Sequence, residues 1–108
     1  WSDIKSNKPF FGQIKVSGGK DIGDQLSEFL VKSGYPPVKP SDVTVPPQYP
    51  DIPEMRYNIS MHMNSLMQTD IEVGKVIDRL EKENLRDKTI IFLFSDHGSD
   101  LPRSKEFC

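Results

Sequence analysis

The apolar and polar positions in the first third of the chain predict a strand followed by a short helix. Residues 10–17 are aromatic and β-branched after Pro9, which is typical of a strand in a covered sheet. Residues 21–33 place apolar side chains three and four positions apart, which indicates an amphipathic helix with Gly34 as its C-cap. The apolar positions of that helix are Ile22, Leu26, Phe29 and Leu30.

A longer pattern of the same kind occupies the second half of the chain. Residues 54–84 contain no proline and carry a near-heptad apolar stripe, which predicts one long helix. Gly74 lies inside this helix, where glycine costs about 1 kcal/mol relative to alanine, and we expect it to permit close packing against a sheet. The stripe consists of Ile59, Met63, Leu66, Asp70, Val73, Ile77 and Leu80.

The long helix is followed within a few residues by a second apolar run. Residues 89–95 include four consecutive apolar side chains at 91–94, which is typical of a strand that is buried on both faces. A helix that leads directly into such a strand fits a crossover onto a parallel sheet. The sequence therefore predicts the α/β class, with parallel strands and a long crossover helix.

Between the two predicted helices, residues 35–53 hold seven of the nine prolines in the chain. That density excludes a regular helix or a central strand. An extended connector with polyproline II geometry and a proline-motif ligand for a signalling domain are both open on this composition. Irregular proline spacing and interleaved apolar residues such as Val43 and Tyr49 favour a packed loop.

Composition adds few constraints. The 108 residues are about one domain in length, and a formal net charge of −2 gives no strong field that would select nucleic acid or an anionic membrane. No apolar stretch approaches the roughly 20 residues that span a bilayer, and no signal sequence is visible. Cys108, the single cysteine, can form no internal disulfide. Because Trp1 opens the chain and Cys108 ends it ten residues after Gly98, we expect a segment of a longer enzyme.

The second predicted strand ends in a pair of side chains that suit a metal. Asp96 supplies an anionic oxygen, His97 supplies a nitrogen, and Gly98 lets the backbone turn so that both can face one cation. Open α/β sheets bind ligands at this end of their strands. Capping of the next turn by Asp96 and a hydrogen bond from His97 to a carbonyl is the alternative. Arg103 and Lys105 favour the metal site, because a metal beside cations suits an oxyanion substrate.

Two features of the long helix have structural explanations. Met61, His62 and Met63 are adjacent, and adjacent residues of a helix do not share a face, so a soft-metal site is not expected there. Asp70 interrupts the apolar stripe and is interpreted as a residue at the boundary of the buried face.

Several stretches resemble sulfatases of the alkaline phosphatase superfamily. Residues 87–98 and 101–105 resemble their second metal-binding strand and the loop after it, and residues 9–14 resemble the strand that a Pro-Phe-Phe triplet introduces. Residues 45–56 resemble the proline-rich stretch of bacterial heparan N-sulfatase-like enzymes. With residues 70–74 of the long helix, these similarities span nearly the whole chain and imply part of an alkaline phosphatase-like sandwich.

The resemblance implies roles for individual residues in a loop over residues 96–108 and at the end of the first strand. Asp96 and His97 would be ligands of the active-site divalent cation, which is usually calcium in this family. Lys105 falls where sulfatases have a lysine that contacts the sulfate. Lys20 falls near where many relatives have a histidine that faces the sulfate or the leaving group, so its residue type departs from the family pattern. A solvated lysine is the alternative for Lys20.

Sulfatases use a formylglycine nucleophile made from the cysteine or serine of a Cys/Ser-x-Pro-x-Arg motif, and that motif is absent from these residues. The resemblance implies that the intact parent hydrolyses sulfate esters or sulfamates, with glycosaminoglycans among the possible substrates. We expect the 108 residues alone to be inactive and to bind calcium poorly, because calcium takes six to eight oxygen ligands.

Two alternatives to a sulfatase stay open. A phosphodiesterase or phosphomutase of the same superfamily would share the strand and Asp-His-Gly but lack the spacing of residues 103–105. A non-catalytic interaction module would use the proline-rich segment and the long helix as its surface. The sulfatase hypothesis implies a sulfated carbohydrate as partner, neither nucleic acid nor membrane, and a periplasmic or secreted location. Exposed strand edges would let the segment pair with a second copy.

Overall fold

The structure, a computed structural model, describes residues 9–16 and 24–95. In chain order, the helical elements in this part of the chain are α1 (Asp24–Lys32), a 3-10 turn (Pro40–Asp42), α2 (Pro53–Lys82) and a second 3-10 turn (Arg86–Lys88). The two α-helices coincide within three residues at each end with those that the apolar periodicity predicts. Pro53 takes the first position of α2, where its missing N–H is not needed.

Helix α1 ends at the glycine that the sequence predicts as its cap. Gly34 has a φ of +86°, in the left-handed region that glycine adopts without a steric penalty. Its N–H donates to the Val31 carbonyl at 3.0 Å, and the N–H of Tyr35 donates to the Leu30 carbonyl at 2.9 Å. These two bonds form a Schellman motif, so the predicted cap is confirmed.

Helix α2 ends in the same motif, built on an asparagine. Asn84 has a φ of 55°, its N–H donates to the Glu81 carbonyl at 2.9 Å, and the N–H of Leu85 donates to the Leu80 carbonyl at 2.8 Å. Thr89 then donates its hydroxyl to the Leu85 carbonyl at 2.7 Å. The chain is thereby turned away from the helix axis directly before residues 90–94.

A buried apolar cluster lies between the proline-rich segment and the N-terminal half of α2. Val43, Met55 and Ile59 form a buried cluster. Half-buried apolar side chains of the proline-rich segment pack against that cluster, and they are Val38, Val45 and Tyr49. The segment is therefore the packed loop that its interleaved apolar residues predict.

The buried face of α2 differs from the predicted apolar stripe. Met63 and Leu66, two members of that stripe, are 41% and 49% exposed. In their place Ser60, Asn64 and Ser65 are completely buried. The stripe thus predicts the helix correctly, but in the middle of α2 it is not the buried face, and there Asn64 hydrogen-bonds Val38 of the proline-rich segment.

Residues 9–16 and 89–95, where the pattern predicts strands, have no strand assignment in the structure. A strand requires a hydrogen-bonded neighbour, and the described residues contain no such pairing. A Cβ atom added at Gly74 would meet no atom of the described residues within 4 Å, its chain neighbours and the nearby backbone of α2 aside. The α/β class, and the packing of Gly74 against a sheet, therefore stay predictions.

None of the described helices is long and apolar enough to span a membrane.

Candidate functional site

The four residues that the sequence selects as a site, Asp96, His97, Lys105 and Lys20, lie outside the described residues, as does Ser17, the last residue of the first predicted strand. The structure describes chain segments that precede Asp96 or flank Lys20 in the sequence. These segments include α2 with its cap, the apolar residues 90–94 and the proline-rich segment.

The apolar residues that lead to Asp96 are exposed on both faces. The side chains of residues 90–94 are between 39% and 83% exposed, with Phe92 at 81%. In a strand, successive side chains point to opposite faces of the sheet. Because all five side chains are apolar, both faces of such a strand would have to be packed against other parts of the protein, as in an interior strand. This exposure indicates that residues 90–94 require neighbours beyond the described part of the chain.

An arginine at the start of α2 binds the proline-rich segment at two places. Arg56 donates from Nε and Nη2 to the two carboxylate oxygens of Asp51, with the Nη2 to Oδ2 distance at 2.7 Å. Its Nη1 donates to the Val43 carbonyl at 3.1 Å. The hydrogen bond from Arg56 holds the pKa of Asp51 below its ordinary value, and the same bond raises the pKa of Arg56.

An asparagine two turns further along α2 binds the start of the same segment. The N–H of Val38 donates to Oδ1 of Asn64 at 2.7 Å, and Nδ2 of Asn64 donates to the Val38 carbonyl at 3.1 Å. The buried amide thus pairs with both backbone groups of one residue, as a neighbouring strand would. Arg56 and Asn64 together fix residues 38–51 on the N-terminal half of α2.

Sequence reasoning selected neither Arg56 nor Asn64. The Asp51–Arg56 pair spans the start of α2 at Pro53, where helical spacing rules do not apply. A signal for Asn64 existed, because Ser60 and Asn64 are four residues apart and share a helix face. Two polar side chains at that spacing interrupt the apolar face of the helix, and one of them, Asn64, binds the backbone of Val38.

The other chemistry-bearing residues of α2 form no site. Among the described residues, no group of three or more His, Cys, Asp or Glu side chains could hold a metal ion. Met61 is buried, His62 is half-buried and Met63 is exposed, so these three do not converge. Asp70 is exposed, in agreement with a boundary position.

Comparisons with known proteins include most of the residues that the structure leaves undescribed. The family described as Sulfatase matches residues 6–107. An ulvan-active sulfatase of Formosa agariphila is 34% identical over 67 residues, which make up 62% of this chain and 11% of that protein. The matched part thus spans about a ninth of the relative's length. No solved structure matches.

These matches confirm the resemblance of residues 9–14 and 87–98 to sulfatases, since both stretches lie inside the matched range. The narrower likeness to heparan N-sulfatase-like enzymes stays a prediction. The chain belongs to the sulfatase family.

Proposed function

We propose that the chain is part of the catalytic domain of a sulfatase, in which residues 89–95 form an interior strand that carries Asp96 and His97 to a divalent metal. The family match over residues 6–107 carries the proposal, because it includes both predicted strands and all four candidate site residues. The same match favours a sulfatase over a phosphodiesterase or phosphomutase, which would share only the strand and its Asp-His-Gly end.

The donor chemistry of Asp96 and His97 fits a divalent cation in part. A carboxylate oxygen suits a hard cation such as calcium, whereas an imidazole nitrogen is a borderline ligand. Because calcium takes six to eight ligands, the remaining donors would come from elsewhere in the parent enzyme. When bound, the cation would offset negative charge on the sulfate oxygens.

The lysines would bind the sulfate group itself. An ammonium group at Lys105, and a second at Lys20, can donate to sulfate oxygens and stabilise the negative charge that spreads as the sulfur–oxygen bond breaks. The formylglycine nucleophile would be supplied outside these 108 residues, whose sequence lacks its motif. We therefore expect the chain by itself to be inactive.

A sulfated polysaccharide is the substrate class that we propose. The relative from Formosa agariphila is an ulvan-active sulfatase, and it shares 34% identity over the matched residues. Sulfamates of the heparan type are the narrower alternative, which rests on the resemblance of residues 45–56. A sulfated polysaccharide does not cross membranes unaided, so the proposal includes a periplasmic or secreted location.

The proposal is tested on the intact parent enzyme with 4-nitrophenyl sulfate and a sulfated polysaccharide as substrates. Asp96→Ala and His97→Ala are each expected to lower kcat/KM by about 100-fold or more and to weaken calcium binding measured by calorimetry. Asp70→Ala and His62→Ala remove the same residue types from α2 and serve as matched controls that retain activity. Full activity in the Asp96 variant, or hydrolysis of bis(4-nitrophenyl) phosphate alone, would contradict the proposal.

A further inference from the structure

We infer that α2 holds one buried water molecule between the hydroxyl of Ser65 and the side-chain carbonyl of Gln68. The water donates one hydrogen to Oε1 of Gln68 and shares a second hydrogen bond with Oγ of Ser65. The inference is independent of the proposed function, because it uses only side chains of α2 and their contacts.

Three polar residues in the middle of α2 are completely buried, and two of them have partners. Ser60 donates its hydroxyl to the Tyr57 carbonyl at 2.8 Å. Asn64 pairs with both backbone groups of Val38. The hydroxyl of Ser65, by contrast, has no hydrogen-bond partner in the part of the chain that the structure describes. Burial deprives such a hydroxyl of its bonds to solvent, so buried hydroxyls in folded proteins are nearly always paired with protein or with ordered water.

The backbone of α2 does not supply the partner of Ser65. A serine or threonine inside a helix commonly donates its hydroxyl to a carbonyl in the preceding turn. Ser60 does so, and Thr69 donates to the Ser65 carbonyl at 3.1 Å. The hydroxyl of Ser65 makes no such bond, so it is available to a group outside the helix backbone.

A second buried oxygen lies one turn further along the same helix. Oε1 of Gln68 is buried and also has no partner among the residues that the structure describes. Nε2 of the same amide donates to a carboxylate oxygen of Glu72 at 3.3 Å. This bond fixes the orientation of the amide, because the opposite orientation would place its oxygen against the carboxylate. The buried atom of Gln68 is therefore an acceptor, and it requires a donor.

The spacing of the two oxygens suits a single water molecule. Residues three apart in a helix are neighbours on one face, with Cβ atoms about 5–6 Å apart. A water that bonds two oxygens at ~2.8 Å each can bridge up to about 5.6 Å. Buried waters typically make two to four hydrogen bonds to polar groups that are otherwise unpaired. Water can donate to Gln68, which only accepts, and can donate to or accept from Ser65.

A double-mutant cycle in the 108-residue chain tests the bridge. Ser65→Ala and Gln68→Leu each remove one partner of the water and leave the other oxygen unpaired. Each is therefore expected to raise the equilibrium constant of unfolding, measured in urea, about fivefold. In the Gln68→Leu background, Ser65→Ala should cost no further stability, because the bridge is already lost.

Ser60→Ala is the matched control for the cycle. Ser60 is a serine of the same helix that is buried to the same extent, and its hydroxyl bonds a backbone carbonyl. It precedes Gln68 by eight residues, or about 12 Å along the helix axis, so Ser60→Ala and Gln68→Leu should have additive effects.

The inference is overturned if Ser65→Ala stabilises the chain, since removal of an unpaired buried hydroxyl would have that effect. Additive effects of Ser65→Ala and Gln68→Leu overturn it as well. A crystal structure of the intact parent provides a check that does not depend on the folding of any variant. It is expected to show a water oxygen within about 3.2 Å of both side-chain oxygens. A direct bond from Ser65 to Gln68 or to a helix carbonyl, or a donor from another side chain on Oε1, would refute the bridge.

Discussion

At the scale of single residues, polar side chains of α2 secure the proline-rich segment in addition to the apolar cluster of Val43, Met55 and Ile59. Prolines cannot donate backbone hydrogen bonds, and the bonds within the segment are short-range, such as the one from the Tyr49 N–H to the Pro46 carbonyl at 3.0 Å. Asn64 supplies the missing partners to Val38, and Arg56 supplies one to the Val43 carbonyl. Because both side chains come from one rigid helix, they fix the segment at two points.

Replacement of Asn64 by alanine is expected to lower the free energy of unfolding by about 2 kcal/mol, since two hydrogen bonds are lost and the partner groups are partly buried. Urea unfolding followed by circular dichroism measures the change. Asn58→Ala removes an exposed asparagine from the same helix and should change stability by less than about 0.5 kcal/mol. Equal effects of the two substitutions would show that the Val38 pairing contributes nothing.

Asp51 should make stability depend on pH in the acid range. Its hydrogen bond from Arg56 lowers the pKa in the folded state, so the carboxylate stabilises the fold above the unfolded-state pKa of about 4. That contribution is lost as the pH falls through the depressed folded-state pKa. Unfolding measured between about pH 2 and pH 6 should show a smaller acid loss for Asp51→Asn than for the native chain. If the native chain and Asp51→Asn lose the same amount of stability at low pH, other carboxyl groups are responsible for that loss.

At the scale of elements, both helices are ended by residues that tolerate a positive φ. Gly34 and Asn84 take the C′ positions of two Schellman motifs, and α2 is followed at once by a 3-10 turn. These local rules explain why periodicity and glycine placement located the helices well. They say nothing of what each helix packs against.

The two helix glycines should respond in opposite ways to alanine. Gly74→Ala is expected to stabilise the isolated chain by about 0.5–1 kcal/mol, because the described residues leave open space at that position. Gly34→Ala should destabilise it by about 1 kcal/mol, because φ is +86° there. Thermal or urea unfolding of both variants gives the comparison. Destabilisation by Gly74→Ala in the intact parent would indicate a sheet packed closely on that face, whereas a stabilisation there too would argue against such packing.

At the scale of the whole molecule, the described chain leaves its most apolar run in solvent. Residues 90–94 contain no charge and are exposed along their length, and uncharged β-prone runs of this kind pair with other strands. A chain with this surface requires the rest of a sheet or a second copy.

The 108-residue chain is therefore expected to self-associate as its concentration rises. Phe92→Lys should shift the chain toward the monomer in sedimentation velocity, because a charge in the middle of the run disfavours pairing. Val31→Lys is the matched control, since Val31 is a single exposed valine on α1, 63% exposed. Monomeric behaviour of the native chain at all concentrations would refute this expectation.

Sequence reasoning reached the helices, the α1 cap, the packed loop and the family, but not the details of the scaffold. Helix ends follow from residues within one turn, and the Asp-His-Gly end of an apolar run is a local motif. The buried face of α2 depends on a partner 26 residues away, as the Val38–Asn64 pair shows. The strand pairing and the geometry of Asp96, His97, Lys20 and Lys105 stay predictions.

The sequence by itself determined where the helices begin and end and which family the chain belongs to, because backbone preferences and motifs act through near neighbours. Only the tertiary structure decided that Ser60, Asn64 and Ser65 are buried while Met63 and Leu66 are exposed. Burial depends on what packs against a residue, and Val38 of the proline-rich loop packs against Asn64. The backbone N–H and C=O of Val38 require hydrogen bonds, so a buried amide rather than an apolar side chain lies at position 64.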